Sequence, residues 1–194
     1  MLRKLKIGML IFVGILLVLN ILAFVFEDNE GQKDAQQESD NQQQSKPSKE
    51  ELAQSIKGMH GKIVKVDPWI NREDKYRISI FIDEGRSVSG SSLVFMLAQD
   101  MVEVAREVVG SQEKKAIDEI IFFARDGSGD LLFKAWLQMD TLDQKNLQDL
   151  PSQSLLSLTS NLEVRPRGKQ AIASYCQDKE NKRLSRQFCS AALQ

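Results

Sequence analysis

One histidine, His60, and two cysteines, Cys176 and Cys189, are all that this chain of 194 residues offers in imidazole and thiol. That scarcity narrows the chemistry. A serine or cysteine nucleophile needs a base to take its proton, most often histidine, and His60 sits between Met59 and Gly61 at the end of a helical pattern, the setting of a solvated turn residue. A zinc site built from cysteine and histidine needs more donors at shorter spacings than two cysteines thirteen positions apart and one remote histidine. No glycine spacing matches a dinucleotide or P-loop fingerprint. From sequence, therefore, no catalytic residue, cofactor or metal is assigned. Charge excess is lacking as well: 26 Lys and Arg stand against 27 Asp and Glu, a net charge of −1, which makes no global case for a nucleic-acid partner. Nor does any Asn-x-Ser/Thr glycosylation acceptor occur, which fits a bacterial envelope protein.

What the chain does have is one long apolar run, "IGMLIFVGILLVLNILAFVF" at 7–26. As a helix it spans about 30 Å, the thickness of the bilayer hydrocarbon. The aromatic-rich exit, Phe24-Val25-Phe26, is unlike the small residues of a signal-peptidase site, so the run is read as an uncleaved anchor. Arg3, Lys4 and Lys6 precede it and Glu27, Asp28 and Glu30 follow. Basic flanks stay cytoplasmic. The expected topology is a cytoplasmic stub at 1–6, a single inner-membrane span at 7–26 and a periplasmic remainder. Asn20, the one polar residue inside the run, is a possible oligomer contact on a second helix. Residues 27–47 are rich in glutamine and charge and poor in anything that could be buried, the composition of a flexible tether.

The folded part is expected at 48–164. Ser48-Lys49-Glu50-Glu51 has capping-box spacing ahead of Leu52, Ile56 and Met59 on one helical face. Strand patterns follow at 62–67 and at 76–83, where Ile78, Ile80 and Ile82 alternate. A helix over 91–109, capped by Ser91 or Ser92, carries the stripe Leu93, Leu97, Met101, Ala105 and Val108. A second strand pair, 118–125 and 130–139, flanks the turn "DGSGD". Two hairpins around one helix predict an α+β fold of order ββαββ, with a four-stranded antiparallel sheet and the helix packed across it. Residues 141–150 have helical character up to Pro151, while 156–164 suits a strand and a helix about equally.

Residues 165–194 form a basic module. Arg165, Arg167, Lys169, Lys182, Arg183 and Arg186 are its candidate partner-binding residues, set against the acidic stretch 99–150. Cys176 and Cys189 are expected to pair in an oxidising compartment. Along an unbroken helix their Cα atoms would lie about 20 Å apart, so the bond demands a reversal near 178–181 and hence a helical hairpin. "DGSGD" lacks the glycine and glutamate positions of a calcium loop. Asp83, Glu84, Asp126 and Asp130 read as solvated strand ends, and "GRSVSGSS" at 85–92 as a connecting loop rather than an anion site.

The function expected from these features is non-catalytic: a membrane-anchored periplasmic binding or assembly component of an envelope complex such as a secretion, conjugation or wall-associated apparatus, with protein partners. A ligand-sensing or inhibitor domain is the alternative, and an enzyme acting on wall or lipid substrates stands behind it.

Overall fold

The computed structural model describes residues 46–84 and 90–193. The expected stub at 1–6, the span at 7–26 with Asn20, and nearly all of the tether lie outside these residues, as does the loop 85–89. Among the described residues no helix is long and apolar enough to cross a membrane.

Helix α1, Lys49–Met59, begins with the expected capping box: Ser48 Oγ accepts from Glu51 N–H, and the Glu51 carboxylate accepts from Ser48 N–H. It buries Leu52 and Ile56. The chain then enters β1, Ile63–Ile70, and turns back into β2, Tyr76–Asp83, an antiparallel pair. Helix α2, Ser91–Gly110, follows, with the apolar stripe buried and Gly90 at the cap position. The expected serine cap is not used: Gly90 adopts φ +61°, a conformation that glycine reaches at little cost. Strands β3, Ile117–Arg125, and β4, Leu131–Gln138, form the second hairpin around the "DGSGD" turn.

The sheet departs from the expected one in two ways. It has five strands in the order β1-β2-β3-β4-β5, the fifth being Asn161–Val164 on the free edge of β4. It is also mixed, because β2 and β3 pair in parallel. The twenty residues of α2 explain this. A helix that long crosses back over the sheet and returns the chain to the end where β2 began, which is the connection a parallel pair requires. The stretch 156–164 resolves into the end of a short helix, α4 (Ser152–Leu156, after α3 at Met139–Asp143), then a turn, then β5.

The helix expected over 141–150 is shorter than its composition suggests. It ends at Asp143, and the following turns are held from a distance: Arg106 of α2 donates from Nε to the carbonyl of Leu147 at 2.7 Å and from Nη2 to that of Leu150 at 3.2 Å. Those carbonyls are satisfied by a guanidinium rather than by a helical ladder.

Every helix except α6 contributes to one continuous core on one face of the sheet. Ile78, Ile80, Ile82, Ile120, Phe122, Phe133, Ala135 and Leu137 meet Leu97, Met101, Ala105 and Val108 of α2 in a single buried cluster, together with Leu52 and Ile56 of α1. The C-terminal module joins the same core. It consists of three helices rather than the expected two: α5, Pro166–Gln177; α6, Lys179–Leu184; and α7, Arg186–Ala192. The reversal falls at Asp178, which caps α6 by accepting from Asn181 N–H. Cys176 and Cys189 are bonded across it, their Cα atoms 5.8 Å apart. Tyr175 packs edge-on against Phe188. Its hydroxyl meets Ser185 Oγ at 2.8 Å, and Ser185 Oγ in turn donates to the carbonyl of Gln153 at 2.7 Å. Burial pushes the phenol up to about 12, against the pull of the Ser185 bond.

Candidate functional site

Strand alternation sends every second side chain away from the core. On β2 these are Arg77, Ser79, Phe81 and Asp83; on β3, Glu119, Ile121, Phe123 and Arg125. Because the two strands run in parallel and in register, Phe81 lies beside Phe123, and their rings stack at 4.3 Å with 23° between planes. The row extends across the whole sheet. Lys65 of β1 pairs with Phe81 and holds its ammonium 5.3 Å from that ring; Lys134 of β4 pairs with Phe123 and holds its ammonium 5.2 Å from the second ring. Each lysine also meets a carboxylate: Lys65 meets Asp67, and Lys134 meets Glu163 at 2.8 Å. That bond from Lys134 holds the Glu163 carboxyl below its ordinary range.

A second row, Asp67, Ser79, Ile121, Trp136 and Asn161, lies beside the first. Neither the stacked phenylalanines nor Trp69 or Trp136 belongs to the core cluster, and Ile121, though buried, lies outside that cluster as well. The face is an aromatic layer whose flanking cations lean over the rings, a cation–π arrangement.

At one end of this face lies a cavity of about 790 Å³ lined by Trp69, Asn71, Arg77, Asp118 and Gln138 among others. A β-bulge shapes it. Tyr76 pairs with Ile117 but Arg77 pairs with Glu119, so Asp118 is the extra residue and bulges re-aim side chains in this way. As a result two consecutive carboxylates converge on one guanidinium: Arg77 Nε is 3.4 Å from Glu119 and 3.8 Å from Asp118. Arg77 also stands 5.2 Å from the Trp69 ring. Burial raises the Glu119 carboxyl above its ordinary range, opposed by Arg77 and by a hydrogen bond from Gln138.

The basic module is distributed differently from its expected role. Arg165 pairs with Glu163 at 2.9 Å, Arg167 pairs with Asp130 and reaches Asp126 in the "DGSGD" turn, and Arg183 pairs with Glu180 on its own helix. Lys169, Lys182 and Arg186 form no ion pair among the described residues. The six candidates are exposed but do not converge on one site.

A third polar cluster lies where α1 ends and β1 begins. His60 Nε2 is 3.1 Å from Glu103 and 3.9 Å from Asp100, both on α2. Beneath them Lys62 Nζ donates to Glu84 Oε1 at 2.7 Å, and the Glu84 side chain is only 1% exposed. This corrects the reading of Glu84 as a solvated strand end. Burial pushes the Asp100 carboxyl up to about 6; Lys62 and His60 oppose the rise, while Glu84 and Glu103 add to it.

Alternation marked the isoleucines of β2 as core, and the same alternation placed Phe81 on the opposite face. The sequence signal was an aromatic at an outward position in each inner strand. Comparison with models of known protein families, with curated proteins and with solved structures finds no match.

Proposed function

We propose that this chain is a single-pass, non-catalytic component of a bacterial envelope complex, its N-terminus cytoplasmic and its α+β domain displayed in the periplasm to hold a protein partner on the face of the sheet directed away from the core. The observation that carries this reading is the Phe81–Phe123 stack, an aromatic pair outside the core and flanked by two lysines. Aromatic residues and arginine are enriched in protein interfaces, with polar and charged groups at the rim. Nucleic acid or an anionic lipid surface would call for a net basic face. Here Lys65, Arg77, Arg125, Lys134 and Arg165 stand against Asp67, Asp83, Glu119 and Glu163, nearly in balance.

Photo-crosslinking in intact cells tests the reading. A crosslinking side chain at Phe123 or Lys134 should trap a discrete protein adduct, one at the exposed Lys57 of α1 should not, and Phe81→Asp should abolish the adduct. Adducts at Lys57 alone, or adducts indifferent to Phe81→Asp, would reject this face as the docking surface. The cavity beside Trp69 and Arg77 favours the ligand-sensing alternative. Under that reading Trp69→Ala, rather than Phe81→Asp, would remove the response.

A further inference from the structure

We propose that His60, Asp100 and Glu103 form a binding site for a divalent transition-metal ion, with Zn²⁺ the best match, at the junction of α1, β1 and α2. This inference is independent of the docking surface. One donor atom from each residue lies within 4.8 Å of the others. Zn²⁺ takes imidazole nitrogen and carboxylate oxygen at about 2.0–2.2 Å, so donors at the corners of a tetrahedron stand about 3.4 Å apart. The observed separations from His60 Nε2, 3.1 and 3.9 Å, bracket that value. Asp100 and Glu103 are three apart on α2 and so share a face. One imidazole with two carboxylates suits zinc better than calcium or magnesium, which favour all-oxygen shells.

Acidic residues near a histidine would not be enough alone. The second observation is Glu84, whose side chain is almost wholly buried and whose Oε2 has no hydrogen-bond donor among the described residues. Asp100 Oδ2 is buried and likewise has none. The one ammonium in the cluster, Lys62, is bonded to Glu84 Oε1. Three carboxylates thus face one ammonium, with two buried acceptor oxygens unmatched among the described residues. Buried charge persists when it is paired or coordinates a metal, and a divalent cation supplies the charge this cluster lacks. The neighbouring cavity of about 570 Å³, which His60 and Glu103 help to line, leaves room for water to complete the coordination.

Binding has a recognisable cost. Lys62 N–H lies 3.3 Å from His60 Nδ1, so the metal-free ring accepts there and carries its proton on Nε2, toward Glu103. Metal at Nε2 moves that proton to Nδ1 and gives up the Lys62 contact. The tautomer change is also the readout, because His60 is the only histidine in the chain.

The experiment uses the full chain in detergent, stripped with EDTA and titrated separately with ZnCl₂, MnCl₂, CaCl₂ and MgCl₂. Calorimetry reads affinity, and nitrogen-15 NMR of the imidazole reads the site. The expected result is one Zn²⁺ per chain, with Nε2 shifting to a metal-bound position and the proton appearing on Nδ1. Glu103→Gln, at a half-exposed position that does not threaten the fold, should weaken binding about tenfold or more by removing a ligand. Absence of Zn²⁺ binding, binding that leaves the His60 signals unmoved, or equal affinity in Glu103→Gln would each overturn the proposal. So would a shift produced equally by Mg²⁺ and Ca²⁺, which would indicate charge screening rather than ligation.

Discussion

Gly168→Ala should destabilise this domain, although alanine is the better helix former. Gly168 lies in the first turn of α5, and a Cβ built there would stand 2.1 Å from the carbonyl oxygen of Leu132 in β4, 2.8 Å from its carbon and 3.2 Å from its Cα. Ordinary contact is about 3.5 Å, and the obstacle is strand backbone, which has no rotamer to change. The helix must therefore retreat by about 1 Å or more. The same Leu132 carbonyl accepts from Arg165 N–H at 2.8 Å, so retreat strains the bond that seats the helix. It also drags Ile172 and Tyr175 out of the core they help to form. Overpacking of this kind costs about 1–3 kcal/mol, against an intrinsic gain of up to about 1 kcal/mol for replacing glycine in a helix. With the full helix-propensity gain set against it, the net expectation is a loss of up to about 2 kcal/mol, or up to roughly 8 °C in Tm for a domain of this size. Gly58→Ala in α1 is the matched control: its new Cβ meets nothing within 4 Å, so the gain of about 0.5–1 kcal/mol should appear unopposed. Thermal and urea unfolding followed by near-ultraviolet circular dichroism measures both. If Gly168→Ala stabilises as Gly58→Ala does, the close approach of α5 to β4 is wrong.

Three further outcomes are expected. The protein should retain its N-terminus in cells and resist extraction by carbonate; a soluble form beginning near residue 27 would remove the anchor from the proposed function. Alkylation of periplasmic material should label neither Cys176 nor Cys189 until reductant is added, and labelling of both beforehand would contradict the bond and the compartment together. Asp100, facing Lys62, Glu84, His60 and Glu103, should make stability fall as pH rises. Its carboxyl is raised from 3.8 to about 6 in the folded state, so the folded chain holds a proton that the unfolded chain releases, and stability is lost through that window. With EDTA present, Asp100→Asn should therefore gain on wild type between pH 4 and pH 7 in urea unfolding; a constant difference across that range would refute the assignment.

Local pattern carried the sequence reading as far as local interactions decide structure. The capping box at Ser48, the limits of β2, the stripe of α2 and the cysteine pairing all rest on residues close in sequence or on one geometric demand. The misreadings share the opposite cause. Residues 144–150 leave the helix because Arg106, some forty positions away, takes their carbonyls. Strand β5 was ambiguous because four residues have too few alternations to decide, and its pairing with Phe133–Trp136 settles it. The candidate cation site was invisible for the same reason: a search for cysteine and histidine spacings passes over the Asp100 and Glu103 carboxylates on a helix some forty positions beyond His60.

The open face depends most on what the sequence left undecided. The side chains directed away from the core would be the same whichever way β2 and β3 ran, but their neighbours would not. Keep Ile80 opposite Phe122, as observed, and reverse one strand: Phe81 then falls beside Ile121, and Phe123 beside Ser79. The phenyl stack disappears, and Lys65 and Lys134 no longer end the same row. The observed parallel register puts Phe81 against Phe123 and aligns the row Lys65, Phe81, Phe123, Lys134, Glu163 across five strands. The crossover of α2 makes the pair parallel, and the buried stripe of α2 holds that crossover against the sheet. The aromatic layer is thus assembled by a core helix that contributes no side chain to it. A substitution that weakens the packing of α2, such as Leu97→Ala, should loosen the Phe81–Phe123 pair from the far side of the sheet, and a crosslink at Phe123 should weaken with it.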